Sequence, residues 1–186
     1  MNIRLAREIQ PDSIVDGEGL RTVIWTQGCA HNCEGCHNPD THDFCGGFLK
    51  DIESLKNEIK NLKLQDGITL SGGDPFFQVD SVLEIAEFCQ KQGLNVWCYT
   101  GFTFEHLLKM SENKPNILKL LNNIDVLVDG KFVLSLKSYD CKYRGSTNQR
   151  LIDVKKSLKS GEVVLYGEKK IISNILFEKP KRPLYI

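Results

Sequence analysis

The stretch Gly28-Cys29-Ala30-His31-Asn32-Cys33-Glu34-Gly35-Cys36 places three cysteines on one short loop, with the spacing Cys-x3-Cys-x2-Cys. It comes directly after residues 20–26, whose β-branched and aromatic side chains predict a strand. Iron–sulfur clusters are usually held by cysteine thiolates, of which they normally take four. The loop therefore predicts a cluster held by three thiolates, with one iron open to an external ligand. An open metal position is typical of catalytic sites.

Two other ligand sets are compatible with this loop. Zinc bound by the three cysteines and one histidine (His31, His37 or His42) would form a tetrahedral site. A four-cysteine cluster completed by Cys45 would close the open position and leave an electron-transfer module. Because Cys45 stands nine residues after Cys36, beside two glycines, we favour a free thiol at that position.

The composition of the 186-residue chain excludes several classes of protein. Lys and Arg together number 24, and so do Asp and Glu, so no net charge attracts nucleic acid or an anionic membrane. No run of about 18 apolar residues predicts a membrane span, and Met1-Asn2-Ile3-Arg4 does not open a secretory signal. We therefore expect a cytoplasmic protein without a nucleic-acid or membrane partner. In a reducing compartment, seven cysteines indicate metal binding rather than disulfides.

Predicted strands alternate with predicted helices along the chain, which indicates an α/β fold with a mainly parallel sheet. A closed eight-unit barrel takes about 250 residues, so we expect a partial barrel, open on one side. We treat residues 1–186 as one domain, with a core over about 13–166 and an unassigned tail over about 172–186. The predicted strands are 20–26, 68–70, 94–99, 124–128 and 163–166, and the predicted helices are 49–62, 79–89, 104–121 with a break near Pro115, and 152–158.

Four polar or glycine-rich loops each follow a predicted strand: 28–36, 71–75, 100–101 and 129–131. Carboxyl ends of parallel strands share one edge of a sheet, so we expect these loops to converge. In Ser71-Gly72-Gly73-Asp74-Pro75, two glycines allow close approach of the backbone to a ligand. The segment 144–150 is rich in side chains that could bind a carboxylate or a ribose through hydrogen bonds. Alternatively, it is a polar loop whose Asn148 caps the next helix.

Together these motifs resemble the radical S-adenosylmethionine (SAM) superfamily and, more narrowly, the activating proteins of anaerobic (class III) ribonucleoside-triphosphate reductase. The cysteine triplet carries the superfamily resemblance, and Arg144–Arg150 narrows it. Gly35 stands where many superfamily members have an aromatic residue, which agrees with the reductase activators, and Thr147 stands where a second serine is expected. The matching segments are 13–21, 28–39, 71–75, 99–101, 125–132 and 144–154.

The resemblance implies a partial β/α barrel of the radical SAM type that holds a 4Fe-4S cluster on Cys29, Cys33 and Cys36, with SAM on the open iron. SAM would be cleaved reductively to methionine and a 5′-deoxyadenosyl radical, which abstracts hydrogen from a glycine of the reductase. Reduced flavodoxin or ferredoxin is the expected electron donor. We expect no catalytic residue beyond the cluster ligands. The residues expected to contact SAM are Gly72, Gly73, Asp74, Asp129, Lys131, Ser146 and Asn148.

Three other functions share parts of this pattern. The nearest is an activase of another glycyl radical enzyme, such as pyruvate formate-lyase. Another is the deazaguanine-forming branch of radical SAM enzymes. The segment 144–150 argues against both of them. The third function, from a different class, is a zinc-binding interaction module without enzymatic activity, which would contain zinc and no iron.

Overall fold

Residues 1–167 form one eight-stranded sheet and five α-helices. The computed structural model of the protein describes residues 1–167. The strands are β1 (Asn2–Leu5), β2 (Gln10–Ser13), β3 (Arg21–Thr26), β4 (Phe48–Asp51), β5 (Gly67–Gly72), β6 (Asn95–Tyr99), β7 (Val126–Asp129) and β8 (Arg150–Asp153). The α-helices are α1 (Ile52–Lys60), α2 (Val79–Lys91), α3 (Phe104–Ser111), α4 (Pro115–Asn122) and α5 (Val154–Ser160).

The centre of the sheet is parallel and its margins are antiparallel. The strand order is β4-β1-β3-β5-β6-β7-β8, with β2 also paired to β3. Strands β3, β5, β6 and β7 run parallel, whereas β1, β2, β4 and β8 pair antiparallel with their neighbours. The predicted α/β fold with a parallel central sheet is therefore confirmed. The antiparallel margins were not predicted, because each of these strands has only four residues.

Local capping explains where the helices begin, and it corrects two predicted boundaries. The predicted helices at 49–62 and 152–158 each start later, because a short strand precedes them. Asp51 ends β4 and accepts a hydrogen bond from the N–H of Ser54, and Asp153 ends β8 and accepts one from the N–H of Lys156, both at 3.0 Å. The strand predicted at 163–166 is wrong, since only a single bridge between Ile152 and Leu165 forms there.

Alternating side chains give the sheet two different faces. Ile24, Leu70 and Leu127 belong to the main apolar core, which also contains the buried residues of the helices. Trp97 and Val128 lie on the second face. Within residues 1–167, this second face is packed by partly buried side chains and not by helices. These side chains are Tyr99, Tyr143, Leu151 and Tyr166.

None of the seven cysteines forms a disulfide. Cys89 and Cys98 are fully buried among apolar side chains, and burial raises the pKa of Cys89 to about 12. Within residues 1–167, no helix combines the length and the apolar character that crossing a membrane requires.

Candidate functional site

The carboxyl ends of the four parallel strands lie side by side, and the loops that follow them are joined by backbone hydrogen bonds. The N–H of Asp74, after β5, donates to the carbonyl of Gly28, after β3, at 3.0 Å. The N–H of Thr100, after β6, donates to the carbonyl of Val128 in β7 at 2.9 Å. The predicted convergence of these loops at one edge of the sheet is therefore confirmed.

The cysteine loop turns tightly between its ligand positions. The N–H of Cys36 donates to the carbonyl of Cys33 at 3.2 Å, and the Sγ of Cys36 accepts a hydrogen bond from the N–H of Asn38 at 3.4 Å. Gly35 has a φ of +70°, and a Cβ on it would lie 2.9 Å from a methyl carbon of Leu134. The positive φ favours glycine at this position, and a larger side chain would have to displace Leu134.

The three thiols are near enough for their charges to interact. The pKa of Cys29 is raised to about 11, mainly by burial and to a smaller extent by the charges of Asp74, Cys33 and Cys36. Thiolates are the metal-binding form of cysteine, so positive charge placed at this loop would favour the ionised form of Cys29. Within residues 1–167, no three His, Cys, Asp or Glu side chains are grouped closely enough to hold a single metal ion. The donor set of three thiols on one loop fits a cluster, whose thiolates bind separate irons.

The buried carboxylate of Asp74 ties the cysteine loop to two strand ends. Its Oδ2 accepts hydrogen bonds from the hydroxyl of Thr100 at 2.8 Å and the N–H of Gly101 at 2.9 Å. The same oxygen lies 2.6 Å from Nε2 of His31, and Oδ1 accepts the N–H of Phe76 at 2.9 Å. Asp74 therefore holds the loops after β3, β5 and β6 in one arrangement.

The pairing of His31 with Asp74 was not predicted, because the two residues are 43 positions apart. The imidazole ring is only 8% exposed and packs against Phe102, with ring centres 4.6 Å apart. A Cβ on Gly101 would lie 2.4 Å from this ring, so the close packing requires glycine. A glycine directly after β6 was the only sequence signal for this contact.

A cavity of about 720 Å³ opens at the same edge of the sheet. Among its lining residues are three that were predicted to contact SAM, Asp129, Lys131 and Asn148, together with His31 of the cysteine loop. The amide of Asn148 donates to the carbonyl of Lys131 at 2.9 Å, so the segment after β7 is held against the segment before β8. The structure thus brings these predicted residues together around one space.

An ion-pair network that was also not predicted forms part of this cavity wall. Asp129 is buried, and its Oδ1 accepts a hydrogen bond from Nε of Arg150 at 3.0 Å. The two terminal nitrogens of Arg150 donate to the carboxylate of Glu105 at 2.9 and 2.8 Å. This bidentate pairing lowers the pKa of Glu105 to about 2, and the hydrogen bonds to Asp129 and Glu105 together raise the pKa of Arg150.

The other residues predicted to contact SAM lie elsewhere at this edge. Ser146 is fully buried, and its hydroxyl accepts a hydrogen bond from the N–H of Val133 at 3.2 Å. Gly72 has a φ of +103°, and a Cβ on Gly73 would lie 2.4 Å from the carbonyl oxygen of Gly28. Gly73 therefore packs directly against the start of the cysteine loop, whereas Gly72 packs against Thr26 at the end of β3.

The segment 144–150 separates two cavities. Thr147 and Gln149 line a second cavity of about 680 Å³, Asn148 lines the first, and Arg150 lines both. Tyr143 and Tyr166, from the second face of the sheet, also line this second cavity. One short segment thus supplies polar side chains to both spaces.

Comparisons with known proteins agree with this arrangement. The sequence profile of the family described as "4Fe-4S single cluster domain" matches residues 15–152, a range that includes the cysteine triplet. Proteins of Haemophilus influenzae and Escherichia coli K12, both named anaerobic ribonucleoside-triphosphate reductase-activating protein, are 32% and 35% identical over 147 residues. These alignments cover 75% of this chain and 91% and 92% of those proteins.

The phage T4 protein of the same name is 33% identical over 152 residues, which cover 77% of this chain and 90% of its own. Relatives from two bacteria and a virus are therefore aligned with this chain over nearly their whole length, at similar sequence identity. Both the cluster-domain match and these relatives point to the same conclusion. The chain belongs to the family of anaerobic ribonucleoside-triphosphate reductase-activating proteins, and it contains a 4Fe-4S single cluster domain.

Proposed function

We propose that the protein is a radical SAM activase that cleaves SAM reductively and generates a glycyl radical on an anaerobic ribonucleoside-triphosphate reductase. The observation that carries this proposal is that the three-cysteine loop lies beside a cavity lined by His31, Asp129, Lys131 and Asn148. The names of the relatives favour a reductase as the target over the substrate of a pyruvate formate-lyase type activase.

Cys29, Cys33 and Cys36 would hold the 4Fe-4S cluster, which when bound supplies the electron that breaks a carbon–sulfur bond of SAM. Lys131 contributes a cationic side chain to the cavity, and Asn148 contributes an exposed amide. We assign the carboxylate of SAM to Lys131, because an ammonium group pairs with a carboxylate. We assign the ribose or carboxylate oxygens of SAM to Asn148, because its amide N–H groups donate hydrogen bonds to such oxygens. Gly72 and Gly73, which lack side chains, would present backbone atoms to the methionine part.

Asp74, Asp129 and Ser146 act by positioning in this proposal, since each accepts hydrogen bonds from protein groups. Asp74 orients His31 and the cysteine loop. Asp129 orients Arg150 at the rim of the cavity. Ser146 holds the chain two residues beyond Lys131 through the N–H of Val133. Rigid support of this kind keeps reacting groups within the narrow range of geometry that catalysis needs.

We also propose that the sheet is a partial barrel of the radical SAM type, open on the face that carries Trp97. An open side would let a loop of the reductase enter the site. Reduced flavodoxin or ferredoxin would supply the electron. A cytoplasmic location is consistent with seven free cysteines.

The decisive experiment mixes the anaerobically reduced protein, SAM and an anaerobic ribonucleoside-triphosphate reductase. We expect an electron paramagnetic resonance doublet from a glycyl radical, together with methionine and 5′-deoxyadenosine. Iron and sulfide assays on the same sample establish which metal is bound. Zinc without iron, or an intact cluster that yields no radical with a competent reductase, would refute the proposal.

A further inference from the structure

We propose that the exposed segment Lys131–Tyr139, here called the cover segment, is the docking surface for an acidic protein that carries a one-electron redox group. The proposal rests on the proposed function, because only a redox cluster needs such a partner. Its reaction is a single electron transfer: the carrier is oxidised by one electron, the cluster is reduced by that electron, and no bond or proton changes.

The cover segment lies directly over the cysteine loop. The ring of Phe132 packs against that of His37, the residue after Cys36, with ring centres 4.8 Å apart. The Nζ of Lys131 lies 3.5 Å from the carbonyl oxygen of His31. Leu134 packs against Gly35 so closely that no Cβ fits between them. A carrier seated on this segment would therefore be separated from the cluster ligands by a single layer of protein.

The surface of the cover segment combines apolar and positively charged side chains. Leu134, Leu136 and Tyr139 are 44%, 42% and 92% exposed. Lys131 and Lys137 are exposed too, and neither forms a salt bridge with another residue of the described range 1–167. An apolar centre with a charged rim is the composition of a protein–protein interface. A nine-residue segment suits the small interfaces of transient electron-transfer complexes.

Charge selects an acidic carrier as the occupant. The chain has no net charge, yet the cover segment, residues 131–139, contains two basic side chains, Lys131 and Lys137, and no acidic one. Glu34 is the one acidic residue that lines the 450 Å³ hollow beside the cover segment. Local positive charge next to a redox site speeds the association of a negatively charged partner and orients it.

The test uses the cluster-loaded protein, a purified acidic flavodoxin and two matched double variants. Leu136→Glu/Lys137→Glu reverses the charge of the cover segment. Leu118→Glu/Lys119→Glu makes the same change on α4, where Leu118 is 41% exposed and Lys119 is also exposed. By calorimetry at low salt, we expect the first variant to bind flavodoxin at least about tenfold more weakly and the second to bind like the wild type. Equal affinity of the two variants, or no binding by the wild type, would overturn the proposal.

Two activity measurements identify the partner of this surface. SAM cleavage driven by dithionite should be the same in both variants, whereas cleavage driven by reduced flavodoxin should fall only in the cover-segment variant. If that variant instead loses glycyl radical formation with dithionite while SAM cleavage persists, the surface serves the reductase and the carrier assignment is wrong. Failure of the wild type to cleave SAM with dithionite would defeat the proposed function, and the affinity comparison would still decide the docking surface.

Discussion

At the scale of single residues, the cysteines differ in their surroundings, and these differences bear on which of them hold the cluster. Cys29, Cys33 and Cys36 are partly buried, and the charges of the last two raise the pKa of the first. Cys45 is exposed, and its N–H donates to the carboxylate of Asp43 in a separate turn. This contrast favours a cluster with three protein ligands.

We predict that Cys33→Ala abolishes SAM cleavage and lowers the iron content, because two thiolates do not anchor a cluster that needs three. Cys45→Ala should keep the iron content and the cleavage rate of the wild type. Iron assay and product chromatography under dithionite measure both properties. A loss of iron in Cys45→Ala would mean that a fourth cysteine closes the open position.

Asn148→Ala should weaken SAM binding about tenfold, the equivalent of about 1.4 kcal/mol, because the change removes one hydrogen-bonding group from the cavity. Calorimetry with the cluster-loaded protein gives the affinity. The matched control is Asn122→Ala, since Asn122 is also exposed and also donates from its side chain to a backbone carbonyl, that of Leu118. Unchanged affinity in Asn148→Ala would remove this residue from the site.

At the scale of secondary-structure elements, two buried carboxylates connect the ends of strands to their neighbours. Asp74 links the loops after β3, β5 and β6. Asp129, at the end of β7, accepts the N–H of Phe104 at the start of α3 at 2.8 Å and pairs with Arg150 in β8. These contacts join the loops at the carboxyl ends of the parallel strands to one another, and so stabilise this edge of the sheet.

Asp74→Ala should lower the free energy of unfolding by about 2–4 kcal/mol, because it leaves buried donors of Thr100, Gly101 and Phe76 without an acceptor. Urea denaturation under anaerobic conditions measures this loss. Asp80→Ala is the control, since Asp80 is exposed, and it should change stability by no more than about 0.5 kcal/mol. Equal stability of the two variants would show that Asp74 does not organise this edge.

The pairing of Glu105 with Arg150 should make the link between α3 and β8 sensitive to acid. Arg150 lowers the pKa of Glu105 to about 2, so the pairing stabilises the fold at pH values above the ordinary pKa of 4.5. This contribution is lost as the pH falls from about 4.5 towards 2. The stability difference between the wild type and Glu105→Gln should therefore shrink across that range.

Chemical denaturation of the two proteins without the cluster, which avoids acid release of sulfide, measures this change. A stability difference for Glu105→Gln that stays constant from pH 6 to 2 would contradict the prediction.

At the scale of the whole molecule, a buried arginine supports the sheet face that carries Trp97. Arg21, in β3, is 1% exposed and lies over the ring of Trp97 at 5.3 Å. It donates hydrogen bonds to the Thr69 hydroxyl at 2.7 Å and to the carbonyls of Ile68 and Asn95 at 2.6 and 3.1 Å. One guanidinium thus joins three parallel strands, and burial lowers its pKa to about 10.

We expect Arg21→Ala to lower the free energy of unfolding by about 3–5 kcal/mol, because it opens a cavity and leaves carbonyl groups of the sheet unpaired. Arg7→Ala is the control, since Arg7 is exposed and only lies over the ring of Trp25 at 4.6 Å. Its removal should cost about 0.5–1 kcal/mol. Denaturation by urea compares the two, and a cost for Arg21→Ala no larger than that for Arg7→Ala would contradict this role.

The sequence by itself determined the α/β class, the central parallel strands and the convergence of the strand-end loops. It could do so because hydrophobic periodicity and short motifs are local properties of the chain. The cysteine spacing is local in the same sense, and it predicted the cluster that the domain match supports. The four-residue marginal strands were missed because segments this short have too little pattern to be distinguished from loops.

Only the tertiary structure decided which distant side chains meet. The pairs His31 with Asp74 and Glu105 with Arg150 are 43 and 45 positions apart, so no local pattern connects them. The same holds for the cover segment. Its residue Lys131 contacts His31, which is 100 positions earlier in the sequence, and the order of the strands brings the two segments together. The spacing of residues along the chain determines which chemical groups a loop carries, whereas the packing of the strands determines which other segments those groups contact.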